Sequence, residues 1–581
     1  MVHTDVFGLL TDKHGGYTLI GQPQATSRYQ GFYIRTQNQE MFRIIESLYI
    51  PLPLLEISTE LNTIIRTYTG VTEEVSYVPG QSSLLQRFSS PTTVHVMLDG
   101  KKIDDHCVWG RDYAINNDDD IITIHFQKKY DTREHTEFGE YEWYLAIIAM
   151  PHHVLQANTW VEHAYTYDKN RKSPPENRYV YHALTIKSKE IVYAVGATAT
   201  KAQQNAKIAW KNRVKKATPN SSLPILVQGD LKNAYAAACH ALASLITPDG
   251  IMAGLPWFYQ IWTRDAAITL PALSIIKEEQ IARTTALELI RSIRDNSLLP
   301  CRIKPASSED CFDAVGWSFF GIETLLSTNP KLFSDDDKNI ILSTLRSVIS
   351  TIKKTMLQDS LVYTPPRMTW MDTVWEHDAR EGCRIEHQAL LLAMLRLQRT
   401  ISRRVDPFEK ELAAKTRYAF FKNGYIFDGS NDPIIRPNLF LAYYVYPELL
   451  SVANWKICID TTLPKLWLAW GGISSIDTTH PLFVGLSTGE NPQSYHRGDS
   501  WYWINNITAL CLHRLDKTRY NHYITAITAA STRDILEMGA LGHHSEISDA
   551  LTQQSSGCVS QAWSNATYIQ LIYDLYVLGN P

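Results

Sequence analysis

Residues 384–401 read RIEHQALLLAMLRLQRTI, an apolar-rich run in which hydrophobic side chains return at helical spacing. The same texture recurs in LKNAYAAACHALASLI (231–246), EEQIARTTALELIRSI (278–293), DAVGWSFFGIETLL (313–326) and DDKNIILSTLRSVISTIKKTM (336–356). From Pro224 onward the chain therefore reads as about eleven or twelve helices over roughly 350 residues, joined by loops of very uneven length. No fixed-period repeat runs through them, which argues against a solenoid and for a closed barrel of paired helices. Upstream the texture is different. GYTLIG (16–21), TTVHVMLDG (92–100) and DIITIHFQKKY (120–130) are short, β-branched and aromatic, and bounded by turn formers. Many such strands with no long helix between them predict a β-sandwich. The expected fold class is multidomain β + α: a sandwich over 1–198, a polar linker helix and loop over 199–224, and a helical barrel over 225–581.

Composition bounds the function. The 581 residues are too many for one ordinary domain, and a 44% hydrophobic, 20% charged chain is a globular protein with a large core. With 56 Lys+Arg against 60 Asp+Glu the formal net charge is −4, so no overall positive field recommends nucleic acid or anionic membrane as a partner. The eight cysteines include no CxxC pair, which predicts free thiols in a reducing compartment. MVHTDVFGLLTDKHGG interrupts any signal-peptide run, and no stretch reaches the ~18–20 apolar residues of a membrane span. A cytoplasmic protein is expected, and the sequons at Asn220, Asn506 and Asn565 carry little weight. The 15 Trp, 30 Tyr and 17 Phe, 11% of the chain, serve either a large aromatic core or stacking on sugar rings.

Four loops concentrate polar and aromatic residues just ahead of helices, where scaffolded sites usually lie. AGLPWFYQIWTRDAAITLPAL (253–273) holds Trp257, Trp262, Arg264 and Asp265, and MTWMDTVWEHDAREGCRIEHQAL (368–390) holds Trp370, Asp372, Asp378 and Glu386. SYHRGDSWYWINN (494–506) holds His496, Asp499, Trp501 and Trp503; HHSEISDALTQQSSGCVSQAWSNATY (543–568) holds Glu546, Asp549, Gln561 and Trp563. Carboxylates among aromatics, with no metal or phosphate motif, suit glycoside hydrolysis, which needs one carboxyl to protonate the leaving oxygen and another to activate water or attack the sugar. An apolar, Trp-lined site would keep the acid protonated near neutrality. Asp265 and Glu386 are equally readable as first-turn acids that complement a helix dipole, and His496 and Trp503 as packed wall residues.

In collinear order these blocks resemble glycogen debranching enzymes. AGLPWFYQIWTRD is similar to that family's AGYPWF…WGRD, and TWMD followed by REGCRIEHQAL to TWMDA…GKPVEIQALW. FDGSNDPIIRPNLFLA (427–442), SYHRGDSWYW and SEISDALTQQSSGCVSQAWSNAT likewise resemble its D…D.SIRPNQ.FA, YHQGTVWPW and SEIFDG…GC.AQAWS blocks. TDKHGGYTLIG…TSRYQGFYI (11–34) resembles the NGLGGYA…TRRYHGLLV opening of the short bacterial and archaeal forms.

The resemblance implies a β-sandwich before an (α/α)6 barrel and an amylo-α-1,6-glucosidase activity that releases glucose from single α-1,6-linked branches by an inverting mechanism. It places the general acid on Asp372 and the general base on Glu546. Candidate sugar-binding residues are then Trp257, Trp262, Arg264, Asp265, Trp370, Glu386, His496, Trp501, Gln561 and Trp563. WTRD, GDSWYW and RIEHQAL depart from the family pattern, and Asp499 stands where the family has Thr. The strand half has no room for a separate transferase domain, so transglycosylation is not implied. A related glucoamylase-like or trehalase-like exo-α-glucosidase and a non-catalytic glucan-binding protein are the alternatives. No metal or cofactor is called for; the expected partner is an α-glucan or oligosaccharide, and oligomeric state is not addressed by the sequence.

Overall fold

The computed structural model describes residues 6–22, 26–118, 120–134, 137–150, 153–214 and 227–578. Positions 215–224 of the expected linker, with the Asn220 sequon, lie outside them. Two compact units are present: one is Met1–Ser222 with Ala243–Pro248 and Glu537–Gly542, and the other is Leu223–Leu242, Asp249–Leu536 and His543–Pro581.

The first unit is an antiparallel β-sandwich. One sheet runs in the order Phe7–Thr11, Tyr17–Gly21, Gly31–Arg35, Met41–Ile45, Lys101–Lys102. The other is ten-stranded and is built around the long strands Leu84–Leu98 and Asn177–Gly196. Inward residues alternate with outward ones, as in Thr63–Tyr68, where Ile64, Arg66 and Tyr68 are the buried set. Phe32, Phe42, Ile44 and Ile45 of the first sheet share one core with Ile64, Val75, Val94 and Ile124 of the second. Among its described residues this unit also carries two helices, α1 (Thr166–Asn170) and α2 (Ala199–Asn212).

Twelve helices follow among the described residues: α3 (Gly229–Ser244), α4 (Thr263–Ile275), α5 (Glu279–Arg291), α6 (Asp313–Thr328), α7 (Asp335–Thr355) and α8 (Ile385–Ser402), then α9 (Pro407–Phe420), α10 (Asn438–Val445), α11 (Val452–Leu466), α12 (Tyr502–Asp516), α13 (Asn521–Glu537) and α14 (Ala562–Tyr573). The even-numbered ones from α4 to α14 pack in sequence, and α14 packs back on α4, so the ring closes. This closure excludes a solenoid. On the outside, α5 packs against α4 and α6, while α7 and α9 pack against α8. The two sets differ in sequence for a physical reason. Outer α7 buries a stripe, Ile341, Leu345, Val348, Ile349 and Ile352, and leaves the opposite face in water. Inner α14 is buried from Ala562 through Ile572, so its apolar residues need no single face.

The helix starts differ as well. Outer α7, α9 and α11 are capped by the side chains of Ser334, Asp406 and Ser451. None of the six inner helices has a side-chain cap; Trp262, Phe312, Arg384, Pro437, Trp501 and Gln561 occupy those positions. Loop carbonyls replace the caps. Thr263 N–H donates to Cys301 O, Asp313 to Met368 O, Ile385 to Asp428 O, Tyr502 to Glu546 O and Ala562 to Ala253 O. Each acceptor lies in the loop ahead of the next inner helix around the ring; the remaining step, from α10 to α12, is made the other way, by Asp477 N–H to Ile435 O at 2.9 Å, so the loops are stitched into a cycle at one end of the barrel. No described helix is long and apolar enough to cross a membrane.

Candidate active site

All six inner helices bring their first turn to that stitched end. Gln561 at the start of α14 donates from Nε2 to Asp265 in the first turn of α4 at 2.8 Å. Arg264 of α4 donates from Nε to both Asp313 oxygens of α6 at 2.9 Å, and from Nη1 to Asp372 Oδ2 at 3.3 Å. Trp370 Nε1 donates to Asn438 Oδ1 at the start of α10 at 2.7 Å. Indoles converge as well: Trp503 stacks on Trp563 with centroids 5.0 Å apart and lies edge-on to Trp370 and Trp317. His496 stacks on Trp501 at 5.0 Å and 7°. The Nε1 atoms of Trp317, Trp503 and Trp563 have no partner among the described residues.

The two candidate catalytic carboxyls share this end. Glu546 is buried and accepts hydrogen bonds from Cys558 N–H at 2.8 Å and from the Tyr495 hydroxyl. Burial, then the negative charges of Glu546 and Asp372, push Tyr495 well above the usual phenol range. Asp372 differs from Glu546 in exposure: 40% of its side chain is open to solvent. Enclosure by protein nevertheless raises its pKa by desolvation, against the lowering effect of Arg264. A group that is both hemmed in and reachable sits on the wall of a recess. Next to it, desolvation lifts Asp265 to about 7 even with Arg264 beside it.

The remaining sequence candidates fall into two groups. Trp262 is half-buried, donates from Nε1 to Gln260 Oε1 at 3.2 Å and lies under Arg302, and Trp257 is half-buried in the same loop. Glu386 and His496, by contrast, are held inside the wall. Arg380 pairs with Glu386 at 2.8 Å and with Asp428 at 2.9 Å, while the Glu386 Oε2 atom has no partner among the described residues. His496 bonds Thr373 Oγ1 through Nδ1 at 2.8 Å, and burial followed by the charge of Arg497 holds its imidazole well below its usual pKa, in the neutral form. Trp370 and Trp501 are also buried and pack perpendicular to each other with centroids 5.4 Å apart.

Several contributors escaped the sequence reading. Asp313 anchors Arg264, and Tyr495 bridges to Glu546; the tyrosine stands beside His496 in a block already singled out. A lattice of buried charges supports the loops, with Arg436 and Arg497 on Asp378 at 2.7 and 2.6 Å and Arg384 on Asp428 and Asp432. Asp378 stands among the loop carboxylates already singled out, but nothing in the spacing of Arg384, Arg497 or Asp428 distinguishes them from solvated loop residues.

Asp499 has a distinct environment. Its carboxyl is buried, accepts from Ser494 Oγ at 2.7 Å and Ser487 Oγ at 3.4 Å, and has an unpartnered Oδ1. Burial, followed by the charges of Asp549 and Glu546, raises its pKa to about 7. The folded chain therefore holds this proton through a range where the unfolded chain, with an ordinary Asp pKa of about 3.9, has lost it. The stabilising protonated form is fully present below about pH 4, and its contribution is lost as pH rises toward 7. Asp499→Asn removes the ionisation while keeping the shape. Thermal melts should show its midpoint above wild type by about 2–4 °C at pH 8, with a smaller gain at pH 5; a gain independent of pH would contradict this account.

No group of three or more His, Cys, Asp or Glu among the described residues could hold a metal ion. Residues 232–570 match a family model described as amylo-alpha-1,6-glucosidase. No curated protein matches the sequence. In structure the chain is similar to a bacterial glucoamylase complexed with acarbose, at 12% identity and a TM-score of 0.61, over 99% of this chain and 98% of that one. It is less similar to a GH63 mannosylglycerate hydrolase from Thermus thermophilus in complex with glucose, at 14% identity and a TM-score of 0.43, over 59% and 99% of the two chains. A wild-type glycosidase gives 12% and 0.44 over 60% and 98%.

Proposed function

Because the chain belongs to the amylo-alpha-1,6-glucosidase family of glycoside hydrolases, we propose that it removes single α-1,6-linked glucosyl branches from glycogen-type glucans as free glucose. The supporting observation is the unequal carboxyl pair at the loop end of the barrel: a solvent-reachable Asp372 with a raised pKa on Arg264, and a buried Glu546 that accepts from Cys558 N–H and the Tyr495 hydroxyl. In this reading Asp372, protonated, gives its proton to the glycosidic oxygen as the C1–O bond breaks. Glu546, ionised, takes a proton from a water that attacks C1 from the opposite face. The products are glucose of inverted anomeric configuration and a glucan with a free 6-hydroxyl. Inversion calls for carboxyl groups about 6.5–9.5 Å apart, with the water between them and the sugar.

Arg264, on Asp372 Oδ2 at 3.3 Å, is placed to stabilise the carboxylate left after proton transfer. Trp262, with Asp265 and Gln561, would hold the sugar ring and its hydroxyls, and Trp501, Trp503 and Trp563 would wall the recess and exclude water.

A glucoamylase-like exo-α-glucosidase is the second reading, favoured by the similarity over nearly the whole chain to the glucoamylase that binds acarbose. Glucose release from a branched limit dextrin, linear maltooligosaccharides and trehalose distinguishes the readings. A kcat/KM at least about tenfold higher on the limit dextrin is expected, the size of discrimination that about 1.4 kcal/mol of differential transition-state binding supplies. Preference for the linear chains would overturn the debranching assignment.

A further inference from the structure

Two thiols meet where α4 and α6 begin. In the hairpin between these helices Leu299 pairs with Cys311 and Pro300 with Asp310, and Cys301 N–H continues the ladder to Glu309 O at 2.8 Å. Cys301 and Cys311 are thus diagonal neighbours on one face of the hairpin. Cys311 is buried and donates from Sγ to Asp313 Oδ1 at 3.2 Å, whereas Cys301 is half-buried and donates to Asp310 O at 3.2 Å. Both ends of this pair reach the proposed acid. Asp313 holds Arg264, which holds Asp372; the Cys301 carbonyl receives the first N–H of α4, one residue before Arg264.

We propose that Cys301 and Cys311 are a modification site, forming a reversible disulfide under attack by a hydroperoxide and thereby weakening the support of Asp372. The Cys301 thiolate attacks a peroxide oxygen, the O–O bond breaks, hydroxide leaves and a sulfenic acid forms. The Cys311 sulfur then attacks that sulfur; the S–S bond forms, the S–O bond breaks, and water leaves with the Cys311 proton. Two electrons pass from the thiols to the peroxide. The order of events follows from the surroundings. The adjacent Cys311 thiol, and then the charge of Arg264, lower the Cys301 pKa and enrich its thiolate, while partial exposure admits the oxidant. Cys311, enclosed behind it, is the resolving thiol. Closing the bond removes the Cys311 hydrogen from Asp313 and draws together two strands that buttress the start of α4.

The loss of turnover rests on the hydrolase reading; the covalent event does not. The full chain should be treated with hydrogen peroxide, digested without reduction and mapped by mass spectrometry, with glucose release measured in parallel before and after dithiothreitol. A peptide linking Cys301 to Cys311 and an activity loss of at least about tenfold, reversed by dithiothreitol, are expected. Cys301→Ser should keep its basal activity and resist the oxidant. Cys311→Ser, which retains a donor toward Asp313, should accumulate a sulfenic acid at Cys301 that dimedone traps. Absence of the linked peptide across the peroxide range would overturn the site. A linked peptide with unchanged turnover, or equal inactivation of Cys301→Ser, would overturn its effect on Asp372.

Discussion

Asp372→Asn is expected to lower glucose release by about 10²–10⁴-fold, the range that a positioned general acid contributes. The side chain keeps its size, and its oxygen can still accept from Arg264, so the melting temperature should stay near wild type. What disappears is the proton delivered to the leaving oxygen. Two accompanying measurements separate this role from a structural one. Wild-type kcat should fall as pH rises through the raised Asp372 pKa, because the acid is active only while protonated, and the variant should lose that alkaline limb. α-Glucosyl fluoride needs no protonation to depart, so the variant should hydrolyse it far better than it hydrolyses a limit dextrin. Near-normal turnover of the dextrin by Asp372→Asn would remove Asp372 from the mechanism.

Glu546→Gln should cost a comparable 10²–10⁴-fold, about the worth of a general base, but with the opposite response to the activated substrate. The fluoride relieves leaving-group departure and leaves water activation unassisted, so it should not rescue this variant. The amide oxygen can still accept from Cys558 N–H, and its NH2 can donate to the Tyr495 hydroxyl, so the loop is expected to fold. Should Glu546→Gln respond to glucosyl fluoride as Asp372→Asn does, the two roles are assigned the wrong way round. Full activity toward the dextrin would discard Glu546 as the base.

The helices were legible because a 3.6-residue apolar rhythm is a local property, as in RIEHQALLLAML, and the strands because alternation is equally local. Ring closure was less so: α14 against α4 joins elements at opposite ends of the helical half. The six inner helix starts carry no Ser, Thr, Asp or Asn cap to announce them, and at five of them loop carbonyls from elsewhere in the ring do that work. The carboxyls in the four loops could be singled out by their aromatic company. Their sorting into wall and recess could not: Glu386 is locked to Arg380 while Asp372 stays reachable, and only the partners decide which. The paired thiols were invisible for a related reason. A CxxC search detects neighbours along a helix turn, whereas Cys301 and Cys311 are neighbours through hairpin register.

The seam between α14 and α4 also sets a schedule. Gly254 and Leu255 pair with Gln561 and Ser560, and Gln561 reaches Asp265 across 296 positions of chain. During synthesis at about 5–20 residues per second, Asp265 and Asp372 emerge many seconds before the segment that completes their surroundings. Until then the five earlier inner helices have an open flank, and Glu546, in the loop just ahead of α14, is among the last site residues to arrive. On the proposed hydrolase reading a nascent chain is therefore without activity on glucan, and it exposes apolar helix surface while it waits. Chains truncated before about residue 560 should bind chaperones and remain sensitive to protease, whereas chains carrying the seam should resist both.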